Sequence, residues 1–211
     1  MFIIDFDDTL FDTQAFKEAR LQAMLGLGID EKLFWETYYE ARNNVDGIFT
    51  YSDALHAQIL SQYGFEEKEI LQFLHEITAR AKYFLLPGAI EFLSFLRKLG
   101  QPIILLSLGD SHYQEIKVKQ TEIAKFFDRI FMIDETKEKI LQEIFTKESE
   151  EEIIFINDKV EETLNLVEKF PKMKIILRQS PNIPVEKYIN SNLPYFKTLK
   201  EIEKYILNYA K

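Results

Sequence analysis

The sequence predicts an α/β fold in which a parallel sheet carries an inserted helical segment. From residue 87 onward, short apolar runs alternate with stretches of helical spacing, which is the pattern of βαβ units. Another apolar run, Phe2–Ile4, stands apart from them, separated by about 70 residues of helical spacing. With 211 residues, 46% of them apolar, the chain is long enough for one domain with such an insertion.

The first predicted element is a short buried strand that ends in acidic residues. Phe2–Ile4 leads into Asp5 and Asp7, and open α/β sheets bind ligands beyond the carboxyl ends of their strands. Carboxylates this close repel each other unless a cation or a proton is held between them, so the pair predicts Mg²⁺ or a raised pKa. The alternative is a strand followed by an Asp-rich turn or a helix cap.

The next segment has the spacing of several helices and no pattern that requires a strand. Asp30 and Ser52 are candidate N-caps, and Gly64 is a candidate helix stop. An insertion of this length exceeds an ordinary loop, so we expect a separate subdomain. The predicted division is a helical insertion, residues 13–84, and an α/β core, residues 1–12 and 85–211.

The α/β part begins with a helix that Pro87 and Gly88 open and Gly100 ends. A closing helix is predicted by the apolar spacing from Leu199 to Tyr209. The strands predicted between these helices are Pro102–Leu106, Arg129–Ile133, Ile153–Ile156 and Lys174–Leu177.

Composition excludes several classes of function. A net charge of −9 without a block of Lys and Arg argues against nucleic acid and membrane surfaces as partners. The absence of cysteine excludes disulfides, thiolate metal sites and cysteine nucleophiles. Apolar stretches fall far short of the roughly 18 residues of a membrane helix, and a strand at residue 2 leaves no place for a signal peptide. We expect a soluble cytoplasmic protein, monomeric or weakly dimeric.

Chemically suggestive residues end four of the predicted strands. Asp5 and Asp7 follow the first strand, Ser107 the second, Lys137 lies just beyond the third, and Asp158 follows the fourth. Parallel strands bring these ends to one edge of the sheet. Carboxylates, a hydroxyl and a lysine together suit phosphoryl transfer, which needs a metal, donors to the phosphate oxygens and an in-line nucleophile.

Two of these residues have plain structural alternatives. Ser107 could merely close a strand, but Gly109 and the helix cap expected at Asp110 or Ser111 would add free backbone amides where an anion could bind. Lys137 lies in a first helical turn, where the helix dipole disfavours a cation, and a binding role explains that choice. Lys139 is its rival, and either could be a surface lysine.

At this point the sequence resembles the haloacid dehalogenase superfamily over its whole length. Asp5-x-Asp7-x-Thr9, the strand ending in Ser107, Lys137, and Asp158 with Glu162 are similar to that family's four ordered motifs. The resemblance implies a Rossmann-like core with a helical cap inserted between the first two motifs. Leu86-Pro87-Gly88-Ala89 is similar to the segment by which family phosphatases return from cap to core.

The resemblance also implies roles for individual residues. Asp5 would be the nucleophile that forms an aspartyl phosphate, and Asp7 the acid and base, with a pKa nearer neutrality than that of a free aspartate. Mg²⁺ would lie between the Asp5 carboxylate, the Asp7 backbone carbonyl and the Asp158 carboxylate, with Glu162 behind these ligands. The residues expected to bind substrate are Thr9, Ser107, Leu108, Gly109, Lys137 and Arg42.

Three positions depart from the family pattern. Asn157 stands where glycine usually precedes the metal-binding aspartate, and Glu162 stands where a second aspartate usually follows. Glutamate reaches farther than aspartate, so Glu161 could take the place of Glu162. Asp8 replaces a frequent glycine.

Asp7 favours phosphoester chemistry within the family, because dehalogenases lack this aspartate and a halide leaving group needs no proton. The expected activity is a Mg²⁺-dependent phosphatase acting on a small phosphorylated metabolite. The alternatives are a phosphomutase of the same family and an inactive phosphate-binding or regulatory protein. A receiver domain fits less well, since its phosphoacceptor follows the third strand. Polar residues of the insertion that could contact substrate are Arg42, Asn43, Asn44, Tyr51 and His56.

Overall fold

The computed structural model describes residues 1–42, 51–134, 136–147 and 152–209, and these include a six-stranded parallel sheet. The strands are β1 (Phe2–Ile4), β2 (Ile103–Leu108), β3 (Arg129–Ile133), β4 (Ile154–Asn157), β5 (Lys174–Arg178) and β6 (Tyr195–Phe196). Their spatial order is β3-β2-β1-β4-β5-β6, the order of a Rossmann-type doubly wound sheet. The order reverses between β1 and β4, where such sheets form a ligand-binding crevice at the carboxyl ends of their strands.

Helices form the insertion and cover both faces of the sheet. The insertion contains α1 (Thr13–Gly26), α2 (Glu31–Arg42), α3 (Asp53–Ser61) and α4 (Glu67–Ala79). The core contains α5 (Ala89–Lys98), α6 (Ser111–Thr121), α7 (Lys137–Lys147), α8 (Val160–Lys169), α9 (Val185–Asn190) and α10 (Leu199–Tyr209). None of the helices in the described part of the chain is both long enough and apolar enough to span a membrane.

The alternation of side chains along β1 explains why both faces of the sheet are covered. Phe2 and Ile4 pack with Leu105 in the apolar layer that includes α5, α6 and α10. Ile3 and Ile104 point the other way, into a second layer that includes α7 and α8. A parallel strand buried on both faces is apolar at every position, and the predicted α/β core is confirmed.

The four helices of the insertion share an apolar cluster of their own. Its buried members are Leu21, Met24, Ile29, Phe34, Ala57, Leu60, Ile70 and Leu74. Asp30 caps α2 by accepting from the Leu33 N–H at 2.9 Å, and Ser52 caps α3 by accepting from the Leu55 N–H at 3.2 Å. Because α4 also packs against α6, the division into a core and a separate cap stays a prediction.

The insertion leaves and rejoins the core at a narrow neck. Phe11 and Leu85 form an isolated antiparallel bridge, and the Leu86 N–H donates to the Leu10 carbonyl at 2.8 Å. Gly88, with φ of +81°, follows this neck and is the N-cap residue of α5. Glycine adopts this left-handed backbone conformation easily, because it has no Cβ.

The structure corrects the sequence prediction in three places. Strand β2 ends at Leu108 instead of Leu106, so Ser107 lies inside the strand and pairs in register with Met132. Helix α9 and strand β6 were not predicted. Both are too short for a periodic pattern to stand out, and β6 consists of two residues that pair only with the end of β5 among the described strands.

Candidate active site

The candidate site lies at the crevice where the strand order reverses. Asp5 follows β1 and Asp158 follows β4, and these two strands are neighbours in the sheet. Ser107 lies near the end of β2, on the other side of β1, while Lys137 is the first residue of α7. The topology therefore brings to one edge the residues that lie far apart in the chain.

Asp5 is buried and held by two donors. Lys137 Nζ donates to its Oδ1 at 2.7 Å, and Thr9 Oγ1 donates to its Oδ2 at 3.3 Å. Burial raises the pKa of Asp5 above its ordinary value although the Lys137 ammonium opposes the rise. A carboxylate in this position needs nearby positive charge to remain ionised.

Lys137 supplies such a charge from a fully buried position, with 1% of its surface exposed. Its ammonium also donates to Glu162 Oε2 at 3.1 Å and to Asn157 Oδ1 at 3.3 Å. Burial lowers the pKa of Lys137, but the neighbouring Asp5 and Glu162 carboxylates outweigh it and raise the pKa above its ordinary value. Lys137 is therefore protonated, and its rival Lys139 is exposed.

Glu162 lies behind Asp5 and reaches it through Lys137. Its Oε2 also accepts from Asn157 Nδ2 at 3.2 Å, so the two unusual residues of the fourth motif contact each other. Glu161 is exposed and pairs instead with Lys187 at 2.7 Å. Of the two glutamates, Glu162 is the one at the site.

Asp158 carries a buried oxygen, Oδ1, that has no hydrogen-bond partner in the described part of the chain. Burial, and next the Asp5 carboxylate, raise the pKa of Asp158 well above its ordinary value. Two adjacent buried carboxylates with an unsatisfied oxygen fit a hard divalent cation such as Mg²⁺. No group of three His, Cys, Asp or Glu side chains suited to a metal occurs among the described residues, so a backbone oxygen, as expected of Asp7, would have to contribute.

The Asp7 carboxylate contacts side chains of α6 and α1. Lys117 Nζ donates to Oδ1 and Gln114 Nε2 to Oδ2, both at 2.6 Å, and Thr13 Oγ1 donates to Oδ1 at 3.1 Å. Burial raises the pKa of Asp7, but Lys117 and the hydrogen bonds outweigh it, so the pKa lies below its ordinary value. The expected shift toward neutrality is wrong for the protein without substrate.

Ser107 has a buried Oγ without a hydrogen-bond partner in the described residues, which leaves it able to donate to an anion in the crevice. The expectation of a free amide at Gly109 is wrong, because its N–H donates to the Ile133 carbonyl at 2.8 Å. The Leu108 carbonyl accepts from Gln114 Nε2 at 3.3 Å. A Cβ at Gly109 would lie 2.9 Å from Gln114 Nε2, so glycine leaves room for the side chain that holds Asp7.

Asp8, the third departure from the family pattern, has a φ of +57°. Few residues other than glycine adopt this left-handed conformation, and aspartate is among those that tolerate it best. The Asp8 backbone carbonyl accepts from Arg178 Nη1 at 2.9 Å, which ties the first motif to the end of β5. The substitution therefore keeps the turn.

A cavity of about 170 Å³ opens in front of Asp5, Asp7 and Asp158 and extends along the insertion. Arg42 and Tyr51, both expected substrate contacts, are in its wall. His56 is buried among the helices of the insertion. Asn43 and Asn44 lie outside the described residues.

Sequence reasoning missed Lys117, Gln114, Lys17 and Arg20, which also line this cavity. The signal was present in α6, where Gln114, Lys117 and Thr121 are buried together with Val118. Their spacing of three and four positions indicates that they share one helix face with Val118, whereas the burial of that face is seen only in the structure. Nothing in the sequence indicates which residue that face contacts.

Comparison with known proteins identifies the family of the chain and solved structures of similar fold. A family model for haloacid dehalogenase-like hydrolases matches residues 1–164. None of the curated proteins matches the chain significantly.

Solved structures share the fold at low sequence identity. A protein described as a haloacid dehalogenase-like hydrolase from Burkholderia xenovorans is 17% identical, with a TM-score of 0.73 and coverage of 100% of this chain and 97% of that chain. A protein described as a beta-phosphoglucomutase from Thermotoga maritima is 15% identical, with a TM-score of 0.68 and coverage of 98% of both chains. The L-2-haloacid dehalogenase from Xanthobacter autotrophicus is 15% identical, with a TM-score of 0.61 and coverage of 97% of both.

Proposed function

The chain belongs to the haloacid dehalogenase-like hydrolases, and from its site we propose that it is a Mg²⁺-dependent phosphatase of small phosphorylated metabolites. The observation that carries the proposal is the second carboxylate, Asp7, held at the cavity beside the buried Asp5. An alkoxide leaving group needs a proton that a halide does not, so a second carboxylate favours phosphate esters over haloacids.

In the first step, a carboxylate oxygen of Asp5 attacks phosphorus while the bond to the leaving oxygen breaks, which gives an aspartyl phosphate and an alcohol. Lys137, which donates to Asp5 at 2.7 Å, and the Ser107 hydroxyl, which has no partner in the described residues, would donate to the phosphate oxygens. When bound by Asp5 and Asp158, Mg²⁺ would neutralise charge on the phosphate.

Asp7 has to carry a proton when the leaving oxygen departs. Its ionised form is favoured in the protein without substrate, but an incoming phosphate dianion raises its pKa by repulsion. After giving up this proton, Asp7 can accept one from the water that attacks the aspartyl phosphate, which releases phosphate and restores Asp5.

The first test is hydrolysis of p-nitrophenyl phosphate by the wild type with Mg²⁺ and with EDTA, and by the Asp5→Asn variant. We expect turnover that EDTA and the substitution both abolish. The matched control is Asp12→Asn, because Asp12 caps α1 by accepting from the Ala15 N–H at 2.9 Å and asparagine caps equally well. The proposal is contradicted if the wild type with Mg²⁺ does not hydrolyse p-nitrophenyl phosphate, or if it releases chloride from 2-chloropropionate instead.

A second test isolates the acid. The Asp7→Asn variant should lose more activity toward phenyl phosphate than toward p-nitrophenyl phosphate, because p-nitrophenolate leaves readily without a proton. An equal loss with both esters would show that Asp7 does not protonate the leaving oxygen.

A further inference from the structure

One face of α1 forms a wall of the cavity. Thr13, Phe16, Lys17 and Arg20 line it, at the spacing of three and four residues that brings side chains to one side of a helix. Thr13 contacts the Asp7 carboxylate at 3.1 Å. Lys17 lies four residues beyond Thr13, about 6 Å farther along the helix axis. A leaving group whose oxygen lies near Asp7 can therefore extend along this wall and reach Lys17.

The cations of this wall differ in how their charge is balanced. Lys117 pairs with Asp7 at 2.6 Å, and Arg20 forms a buried ion pair with Asp53. Lys17 has no ion pair with any described residue, and its Nζ lies 5.4 Å from the centre of the Tyr38 ring. A half-buried ammonium that forms no ion pair with the described residues, at the wall of a cavity, is a ready partner for an anionic ligand group.

The electrostatic surroundings of Lys17 point the same way. Burial and then the Arg42 guanidinium lower the pKa of Lys17, and the carboxylates of Asp8 and Asp7 oppose this only in part. An anion bound beside Lys17 would offset the repulsion that the Arg42 guanidinium exerts on the Lys17 ammonium.

Aromatic side chains line the space beside these cations. The ring centres of Tyr38 and Tyr51 are 5.0 Å apart, and those of Tyr51 and Tyr113 are 5.2 Å apart. All three rings belong to the cavity wall. They offer apolar faces to the organic part of a leaving group, whereas Lys17 offers its charge to a polar end.

We propose that Lys17 is a specificity-determining residue that binds an anionic group, carboxylate or phosphate, on the leaving group of the substrate. The preferred substrates are then phosphomonoesters that carry a second negative charge a few bonds from the ester oxygen. This inference rests on the proposed phosphatase function.

The test compares 3-carboxypropyl phosphate with its neutral isostere, 3-carbamoylpropyl phosphate, by release of inorganic phosphate. We expect the wild type to favour the carboxylate ester by about 10-fold or more in kcat/KM, as charge-assisted hydrogen bonds do. Lys17→Met should bring this ratio close to 1, and Lys17→Arg should restore most of it. In propane-1,3-diyl bisphosphate a phosphate replaces the carboxylate. If phosphate is the favoured anion, the preference of the enzyme for this ester over the amide should also depend on Lys17.

Lys32→Met is the matched control, because Lys32 is a lysine of the insertion whose side chain is 84% exposed. It should leave the ratio unchanged. Binding to the Asp5→Asn variant by calorimetry, with and without Lys17→Met, measures the same preference in the absence of turnover. We expect Lys17→Met to weaken binding of the carboxylate ester and to leave binding of the amide unchanged.

The outcomes separate the two proposals. If p-nitrophenyl phosphate is hydrolysed but neither anionic ester is preferred over the amide, or the preference survives Lys17→Met, the role of Lys17 is wrong and the phosphatase stands. If no ester is hydrolysed, the phosphatase function fails, and the role of Lys17 fails with it.

Discussion

His56 provides a quantitative test of the buried polar network in the insertion. Its side chain is 0% exposed, and its Nε2 lies 3.0 Å from Thr37 Oγ1 while its Nδ1 lies 2.9 Å from the Tyr51 hydroxyl. Thr37 Oγ1 already donates to the Leu33 carbonyl at 2.8 Å, and Tyr51 accepts from Arg20 at 2.6 Å. Nε2 therefore donates to Thr37, and Nδ1 accepts from Tyr51.

A proton on Nδ1 would set two donors against each other in a buried site. Burial, together with the Arg20 guanidinium, lowers the pKa of His56 to about 3. The unfolded chain, with a histidine pKa of about 6.5, then binds the proton and the native protein does not. Stability is thus complete above pH 6.5 and falls as the pH drops toward 3, by about 2 kcal/mol between pH 7 and pH 5.

The assay is urea unfolding of the wild type and of His56→Gln at pH 7, 6 and 5. Glutamine offers a donor and an acceptor but does not titrate. We therefore expect the variant, although less stable at pH 7 because it lacks the buried ring, to lose less stability on acidification. Subtracting the two profiles removes the groups that titrate in both proteins, including Asp5 and Asp158. Parallel profiles would refute the assignment of a buried neutral histidine.

Three further substitutions test the site. Lys137→Met should destabilise the protein by about 3–5 kcal/mol in urea unfolding, because it leaves the buried Asp5 carboxylate without its cation; a change within 1 kcal/mol would contradict the ion pair. Ser107→Ala should reduce kcat/KM for p-nitrophenyl phosphate by about 10²-fold while leaving thermal stability equal or higher, because it removes a buried hydroxyl that lacks a partner; an unchanged kcat/KM would contradict its role as a phosphate donor. Tyr188→Phe should cost about 1–3 kcal/mol of unfolding free energy, because the Tyr188 hydroxyl donates to the Asp158 carbonyl at 2.8 Å and accepts from the Ser180 N–H at 2.9 Å; an unchanged urea midpoint would count against these bonds.

The strand ends were predictable because short apolar runs mark buried parallel strands, and the polar residues of the site come where these runs end. Asp5, Ser107 and Asp158 each lie at the end of an apolar run in the sequence, and the sheet brings those ends together. Lys137 was predictable for a different reason, since a cation in the first turn of a helix is unfavourable unless a partner compensates it. Asp5 is that partner, at 2.7 Å.

The remainder of the site depends on contacts that no local pattern encodes. Lys117 and Gln114 reach Asp7 across more than 100 positions of the chain, and the sequence shows only that they share a helix face with Val118. The Gly109 amide seemed free because β2 was expected to end earlier, and the longer pairing with β3 consumes it. In both cases a contact with a distant part of the chain determines what the residue can do. The sequence had pointed to Gly109 and had given no reason to select Lys117 or Gln114.

The pairing of Asp7 with Lys117 also determines how substitutions of Asp7 must be interpreted. Lys117 is 3% exposed and lies among aromatic rings, 5.2 Å from the centre of Phe6 and 4.9 Å from that of Phe11. Asp7→Asn therefore leaves a buried ammonium without its counter-ion. Because the Asp7 side chain is 26% exposed, we expect less than the full cost of breaking a buried pair, about 1–3 kcal/mol of stability, in addition to the loss of the acid. Adding Lys117→Met removes the stranded charge, so the double variant should regain stability in urea unfolding without regaining activity. If stability and activity returned together, Asp7 would act on the fold and not as an acid, because a methionine and an asparagine supply no proton to the leaving oxygen.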